Sequence, residues 1–592
     1  MRRRAVLSVL GATALFAASV AGASSASALG TGATAPAHDF GSVPVFSSVQ
    51  QDITVTASGG PVTFGAFPSI AVANGDTGVA ADYSVVSTTC TGTVATDATC
   101  TVTVAFTPFA AGARAANLSI ETTTPPDTVL VGLTGTGVPN ATGTFYGLTT
   151  PTRFLDTRLN NGAPLGAGAT RSVQITGLSG IPAASAVSAV VFNLTAVKTT
   201  SSGYITAYPS GKARPTASSI NFPSGWTGAN MVTLPVGTDG KINLFNYAGT
   251  AHVIVDVLGW YAKDDSVRAT KGMGAQFLAT ATGDPVRIYD SRKDDANGRL
   301  PLANGEYLEV RDTWASQQAA ANVKAYALTV TAVGATGPGV LTAWAGGAVR
   351  KPLASAVNYD KGVVAPNMVV VPAGHVDPAH PEFFLPEETG FRIQNSGSSV
   401  HLVVDVAGYY VQDDSAGMRF RPLPNASAPV RILDTRKALG LSGPFGSSQT
   451  RTVNATSVST PDSAYVIGNT TGVTPTVATY LTVWSGDNPL PGTSNLNVNP
   501  TLVRAVSTYA PLAFANAVPP APAQLTFKIF NRAGSMNVLF DAAGTLDQYP
   551  AAATPPAGAQ SPATADVELG GRTIPGARSL AAGHEGTSTR RG

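Results

Sequence analysis

The sequence predicts an all-β protein made of four tandem antiparallel β-sandwich domains, one immunoglobulin-like and three homologous repeats of about 120–140 residues each. Three observations support this class. The chain is rich in turn residues, with 62 Gly and 42 Pro. Only 12% of its residues are charged, against roughly 25% in typical soluble domains. Short strand-like segments recur in the same order, and helical periodicity is almost absent.

The two ends of the chain differ from the rest. Arg2–Arg4, an apolar run and the small residues Ala26–Ala28 predict a signal peptide over 1–28, and both the general and the twin-arginine export routes stay open. The Ala- and Pro-rich segment 549–592 is predicted to be a disordered tail. We therefore expect a secreted, extracellular protein, with cell-wall association as a further option.

Charge and hydropathy exclude two classes of partner. Removing the three leader arginines from 37 basic residues leaves 34 against 35 acidic ones, so the mature chain is close to neutral. Such a balance gives no electrostatic reason to expect binding to nucleic acid or to an anionic membrane.

No later stretch has about 18 consecutive apolar residues, so no membrane span is expected. No cofactor is expected either.

A repeated pair of motifs defines the three repeats. Each repeat opens with P-x-R-[FI]-[LY]-D-[ST]-R and closes with an apolar strand that carries one Asp. The repeats span 143–263, 275–412 and 418–548, the third of them degenerate in its later motifs, and a separate sandwich is predicted over 36–138. Because the repeats are too long for a solenoid, we expect separate or lightly packed domains.

These motifs resemble known families. The segment from Phe40-Gly41 through the cysteines to Leu133–Gly137 is similar to the immunoglobulin-like domains called choice-of-anchor D. The three repeats resemble those of secreted actinobacterial cell-surface proteins, where such repeats occur alone or attached to cell-wall amidases and peptidases. The resemblance implies an accessory role at the cell surface and no established biochemical activity.

Cys90 and Cys100 are the only two cysteines, and both flanks of the short loop between them look like strands. An exported chain meets an oxidising compartment, so a disulfide across a hairpin is predicted.

A lone carboxylate in an apolar strand is costly to bury unless it has a partner. Since the strand Asp and the arginine motif lie at opposite ends of each repeat, we expect them to form an ion pair that joins the first and last strands. Either arginine of the motif could serve, and strand alternation favours the second. The expected structural ion pairs are Asp256 with Arg158, Asp405 with Arg292, and Asp541 with Arg436. The rival interpretation is a calcium site shared by Asp156 and Asp256.

An aromatic series recurs at one strand end in all three repeats: Tyr208, Trp344 and Trp484. Exposed rings there would stack on sugars and are candidate glycan contacts, as is Trp226 in a turn-like segment. The alternative is an aromatic that packs over the end of the sandwich.

Three segments contain residue types that suggest catalysis or metal binding. His252 lies four residues before Asp256, which suggests a dyad, but no nucleophile motif accompanies it. His375, Asp377, His380 and Glu382 combine metal-ligand types in one Pro-rich loop, and DDANG (294–298) resembles part of a calcium loop. Solvated loop charges and a polar turn are the simpler interpretations.

The sequence therefore favours a non-enzymatic protein, secreted or associated with the cell envelope, that uses its sandwiches for adhesion, spacing or wall association. The alternative is a glycan-binding protein that recognises peptidoglycan or an extracellular polysaccharide. The expected partner is cell-wall glycan or another surface protein.

Overall fold

The structure is a computed structural model, and it describes most of the chain between residues 32 and 549. The described ranges are 32–45, 47–73, 80–108, 111–159, 162–293, 300–347, 349–380, 383–412, 417–423, 429–515 and 524–549. The predicted signal peptide and the predicted tail from 550 onward lie outside these ranges. Strands make up 57% of the residues, which confirms the all-β class.

The chain divides into two compact units, with the main boundary between Gly137 and Val138. The strands of the N-terminal unit are β1 (Gly32–Thr34), β2 (His38–Pro44), β3 (Val49–Ser58), β4 (Val62–Phe64), β5 (Ser69–Val72), β6 (Tyr83–Thr88), β7 (Thr93–Val94), β8 (Thr99–Phe106), β9 (Gly112–Thr124) and β10 (Pro126–Val138). They form two sheets, β1-β3-β8-β6 and β2-β10-β9-β4-β7, with β5 paired to β9.

The core of this unit lies between its two sheets and includes Phe40, Val55, Val102, Phe106 and Leu118. The predicted disulfide is confirmed: Cys90, just after β6, is bonded to Cys100 in β8, with their Cα atoms 5.0 Å apart. Both cysteines are buried in the same core, so the bond ties neighbouring strands of one sheet.

The second unit contains all three repeats. The strands of repeat 1 are β11 (Phe145–Asp156), β12 (Thr170–Gln174), β13 (Val187–Val197), β14 (Gly203–Pro209), β15 (Ile220–Phe222), β16 (Gly228–Pro235), β17 (Lys241–Asn246) and β18 (His252–Ala262). Those of repeat 2 are β19 (Gln276–Ala279), β20 (Val286–Asp290), β21 (Tyr307–Thr313), β22 (Val323–Val333), β23 (Gly339–Ala345), β24 (Val357–Tyr359), β25 (Ala365–Pro372), β26 (Glu388–Gly397) and β27 (His401–Val411). Those of repeat 3 are β28 (Gly417–Pro422), β29 (Val430–Asp434), β30 (Gln449–Asn454), β31 (Ser463–Val473), β32 (Thr479–Trp484), β33 (Leu496–Val498), β34 (Val503–Pro511), β35 (Ala513–Ala515), β36 (Gln524–Asn531) and β37 (Asn537–Tyr549).

Helices are few and short among the described residues of this unit. They are α1 (Arg268–Lys271), α2 (Gln317–Asn322) and the 3-10 helices Ala184–Ala186, Asp265–Val267 and Thr456–Val458. Within the described part of the chain, no helix has the length and apolar character needed to cross a membrane.

Each repeat is a sandwich of an inner and an outer sheet. In repeat 1 the inner sheet is β11-β18-β13-β16 and the outer sheet is β12-β17-β14-β15. The inner strands β13, β16 and β18 are buried at nearly every residue, whereas β17 of the outer sheet has half-buried residues at Lys241 and Asn243. A strand that is apolar throughout has both faces covered, so the inner sheet needs a second layer beyond its own outer sheet.

That second layer is supplied by the other repeats. A hydrophobic cluster contains residues from all three, among them Phe145, Tyr261, Phe277, Tyr410 and Tyr509. The expectation of separate or lightly packed domains is therefore wrong, because the three repeats share one core inside one compact unit.

The backbone joins the repeats in a cycle. Phe145 of repeat 1 bridges Ala275 of repeat 2, and Phe277 of repeat 2 pairs with Met418 of repeat 3. The Phe420 N–H of repeat 3 then donates to the Gly143 carbonyl of repeat 1, at 2.9 Å. Each repeat contacts the next through its opening segment, and the third returns to the first.

Candidate functional site

The recurring motifs meet in three Arg–Asp clusters, one per repeat. In repeat 1 the cluster is Arg153, Asp156, Arg158 and Asp256. Arg153 donates from Nε to Asp256 Oδ1 at 2.9 Å and from Nη2 to Oδ2 at 3.2 Å. The Asp256 side chain has no exposed surface, while that of Arg153 is 21% exposed. A planar guanidinium thus satisfies both oxygens of a buried carboxylate.

The partner of Asp256 is the first arginine of the motif, so the prediction that Arg158 pairs with it is wrong. A β-bulge is the reason. Arg153 lies directly opposite Asp256, and the register then shifts before Leu155. Strand β11 ends at Asp156, which places Arg158 in the following turn, where strand alternation no longer applies.

Arg158 instead binds Asp156, two residues earlier. Its Nε and Nη2 donate to the Asp156 carboxylate at 2.8 and 2.6 Å, and its backbone N–H adds a third bond of 3.1 Å. These bonds from Arg158 hold the pKa of Asp156 below its ordinary value. Arg153 also reaches Asp156, at 3.0 Å, so two carboxylates and two guanidiniums form one neutral cluster.

Repeats 2 and 3 build the same cluster, and the expected pairs with Arg292 and Arg436 are wrong for the same reason. Arg287 and Arg431 each approach the strand Asp at 2.7 Å through Nε. The register shift recurs after both arginines. Arg292 and Arg436 bind the motif carboxylates Asp290 and Asp434 at 2.7 and 2.8 Å.

Each cluster is completed by the neighbouring repeat. The Ser355 N–H of repeat 2 donates to Asp256, and the Leu353 carbonyl accepts from Arg153 at 2.9 Å. In the same way the Ser494 N–H of repeat 3 reaches Asp405, and the Ser218 N–H of repeat 1 reaches Asp541. Each strand Asp therefore makes contacts both within its own repeat and to the next repeat. These contacts between repeats follow the same cyclic order as the backbone bridges.

Burial raises the pKa of Asp256, Asp405 and Asp541, and the guanidinium bonds oppose that rise without cancelling it. The attraction within the pair thus does not fully offset the cost of removing the carboxylate from water. Because a buried ion pair adds little net stability over apolar packing, we interpret the clusters as contacts that fix which surfaces meet. Both carboxylates of each cluster are already bound by arginine, which argues against the calcium interpretation.

The His–Asp pair suggested by the sequence is not a dyad. His252 Nδ1 lies 3.1 Å from Thr157 Oγ1, the hydroxyl of the opening motif, which in turn accepts the Val253 N–H at 2.9 Å. His401 contacts Ser291 in the same way, at 3.0 Å. The hydroxyl residue of the motif therefore binds the start of the closing strand.

The aromatic series is buried, which contradicts the predicted glycan contacts. Tyr208, Trp344 and Trp484 are 8%, 4% and 4% exposed. Trp344 Nε1 donates to the Val349 carbonyl at 2.9 Å, within the loop that carries Leu353 and Ser355 to the cluster of repeat 1. Trp484 Nε1 donates in the same way to the Asn488 carbonyl at 3.3 Å, so the two tryptophans hold the loops that complete the clusters of repeats 1 and 2. Trp226 is half-buried and packs against the core of repeat 1.

Two further contacts between repeats were not found from the sequence. Asn367 donates to Asn193 at 2.9 Å, and its own oxygen accepts the Met231 N–H at 3.0 Å, which joins repeats 1 and 2. Asn230 similarly donates to Asn469 of repeat 3 at 2.9 Å. The sequence did contain a sign of these contacts: an asparagine in a strand that is apolar on both faces needs a buried hydrogen-bond partner.

The contact between repeats 2 and 3 uses different residues. Asp284 is buried and accepts the Ser485 N–H at 2.9 Å and Asn488 Nδ2 at 3.0 Å. A charged acceptor thus replaces the asparagine pair at this boundary.

Three tyrosine hydroxyls meet in the shared core. Tyr261 and Tyr410 occupy equivalent places in the closing strands, and their oxygens are 2.5 Å apart. Repeat 3 has Leu546 at that place, but Tyr509 from β34 supplies the third hydroxyl, 3.0 Å from that of Tyr410. The degenerate repeat therefore completes the group from another strand.

No metal site emerges from the residues that the structure describes, where no three His, Cys, Asp or Glu side chains are grouped to hold an ion. His375, Asp377 and His380 are described, whereas Glu382 and the segment 294–298 lie outside the described residues.

Comparisons with known proteins do not identify a family for this chain. No protein-family model and no curated protein matches the chain. Among solved structures, it is similar to the secreted serine protease VesC from Vibrio cholerae, at 14% identity over 40% of this chain and 51% of that chain, with a TM-score of 0.16. The chain thus spans about half the length of that structure, and so low a TM-score carries no argument about function.

Proposed function

We propose that the chain is a non-enzymatic protein, secreted or associated with the cell envelope, whose three-repeat unit is a stiff module for adhesion, spacing or wall association. The observation that carries the proposal is the set of three Arg–Asp clusters. Each ties the first and last strands of its repeat together and accepts a backbone N–H from the next repeat.

The way in which the recurring residues are used also supports a structural role. In each opening motif the two arginines, the Asp and the hydroxyl residue are all bound within the fold. An active site needs reactive groups that face a cleft, and here the repeated polar groups are committed to packing. Two cavities lie along the repeat boundaries, of about 30 and 10 Å³, and each is of a size that holds water rather than a substrate.

Glycan binding loses its main support, because the three repeated aromatics are buried. Of the four candidate glycan contacts, Trp226 is the one that is only half-buried. It is therefore the residue with which we test glycan binding.

The test uses the full chain. We expect labelled protein on intact cells or in the medium, binding to isolated envelope, and no turnover of peptidoglycan, peptide, ester or glycoside substrates. In single-molecule extension, the second unit should unfold in one large event. Turnover that a single substitution abolishes would overturn the proposal. So would binding to a defined sugar that Trp226→Ala removes and that the surface control Asn304→Ala leaves intact.

A further inference from the structure

Repeat 2 places an acid where the other two repeats have an apolar core residue. Asp312 lies on β21, at the position that Ile175 occupies in repeat 1 and Ala455 in repeat 3. The registers of β12, β21 and β30 with their neighbours in the outer sheets establish this equivalence. Ile175 and Ala455 are fully buried in the cores of their repeats, and Asp312 is half-buried.

The surroundings of Asp312 are also specific to repeat 2. Tyr326 replaces a buried valine of the other repeats, and its hydroxyl bonds to Thr389 Oγ1. Trp314 Nε1 donates to the same Thr389 oxygen at 3.0 Å, and the Trp314 ring packs edge-on against Tyr409, with the centroids 5.3 Å apart. A polar aromatic cluster therefore occupies the end of this sandwich, where repeat 1 has Val190 and Ile175 beside Trp260.

Asp312 has little to stabilise a charge. The backbone N–H of Thr313 donates to it, and the nearby phenols of Tyr326 and Tyr409, whose pKa values burial raises, stay neutral and supply no compensating positive charge. Burial raises the pKa of Asp312 to about 6.

The charged groups on the surrounding elements have other partners. Glu388, on β26, accepts the Leu385 N–H, and Lys324, on β22, donates to the Ala321 carbonyl. Burial and the nearby charge of Lys324 lower the pKa of His375, whose ring bonds to the Val323 backbone. On β27 the facing group is the phenol of Tyr409, and the sequence of α2 contains no charged residue.

We propose that Asp312 makes β21 a pH-sensitive edge of repeat 2, held tightly in mild acid and released at neutral and higher pH. The protonated acid is neutral and can donate a hydrogen bond within the polar cluster. The ionised form is poorly solvated unless the strand opens. Strand β21 is an edge strand of the outer sheet β21-β26-β23-β24, so it can open without breaking the contacts between repeats.

The direction follows from linkage. The pKa of about 6 in the folded state exceeds that of an exposed Asp. The stabilisation is therefore complete below the exposed value and is lost as pH rises through about 6. Between pH 5 and 7.5 the equilibrium constant for local opening should rise about tenfold.

Hydrogen exchange followed by mass spectrometry on the full chain tests this. After correction for chemical exchange rates, peptides covering Tyr307–Thr313 should lose about tenfold protection between pH 5 and 7.5. The matching strands Thr170–Gln174 and Gln449–Asn454 serve as internal controls and should not show this loss. Asp312→Asn should abolish the pH dependence, and the exposed control Asp360→Asn should retain it.

Equal pH dependence in all three edge strands would overturn the proposal, as would its persistence in Asp312→Asn. If that variant does not fold, the comparison of β21 with β12 and β30 in the wild-type protein still tests the proposal. A carboxyl NMR titration of Asp312 with a midpoint near that of an exposed Asp would overturn the proposal independently.

Discussion

Arg153 binds Asp256 through both oxygens of its carboxylate, across adjacent strands that open and close one repeat. The backbone of the neighbouring repeat donates to the same carboxylate. One ion pair thus connects the first and last strands of a repeat and also contacts the neighbouring repeat.

Arg153→Ala should destabilise the second unit strongly, because it leaves a buried carboxylate unpaired. The expected loss is about 3–5 kcal/mol in the free energy of unfolding. Arg158→Ala is the matched control, since its exposed guanidinium should contribute at most about 1 kcal/mol. Urea unfolding followed by tryptophan fluorescence measures both, because all five tryptophans lie in the second unit. Equal losses for the two arginines would contradict the assignment.

Asn367→Ala should weaken the contact between repeats 1 and 2. The substitution removes a bond to Asn193 and leaves the Met231 N–H without its acceptor, at about 1–3 kcal/mol for an orphaned buried group. Because the repeats share a core, one fluorescence transition should move as a whole. Asn304→Ala should move the midpoint much less, because the bond it removes, from the Gly397 N–H, is exposed to solvent. A separate transition for repeat 2 would argue against a shared core.

Tyr410→Phe and Tyr509→Phe should each destabilise the second unit, by about 1–3 kcal/mol. The Tyr410 hydroxyl contacts those of Tyr261 and Tyr509, and the Tyr509 hydroxyl also interacts with Tyr261, so either substitution leaves buried hydroxyls short of a partner. Because the three hydroxyls form one group, the loss in the double variant should differ from the sum of the two single losses. Thermal unfolding of the two single variants and the double variant measures this, and an unchanged midpoint in either single variant would contradict the assignment.

The two carboxylates of a cluster should respond to pH in opposite directions. The bond from Arg436 lowers the pKa of Asp434, so the stability it provides is present above the pKa of an exposed Asp and is lost as pH falls. Burial raises the pKa of Asp541, so its ionisation costs stability as pH rises. The deficit of Asp434→Asn should therefore grow from pH 3 to 6, while that of Asp541→Asn shrinks. Parallel pH profiles in calorimetry would contradict this.

Much of the fold could be predicted from local patterns. Alternation and turn residues indicated the strands, and the two cysteines indicated their bond. The choice of arginine could not be predicted, because a one-residue bulge after Arg153 changes the side-chain phase and leaves no mark in composition.

The sequence indicated the packing between repeats only indirectly. A strand such as VVFNLTAV is apolar on both faces, which a lone sandwich in water does not require. Asn193 within that strand was a second sign, since a buried amide needs a partner. Neither feature indicates which repeat supplies the partner, because that depends on long-range geometry.

The cyclic closure of the repeats restricts how such a gene can evolve. A linear array of domains tolerates the gain or loss of one copy by unequal recombination, because each end stays an end. Here Phe420 of the last repeat returns to Gly143 of the first, so a fourth copy or a missing third would leave an apolar face without its neighbour. We therefore expect the three repeats to be gained or lost together, and Leu546 with Tyr509 is one substitution that a residue from another strand compensates.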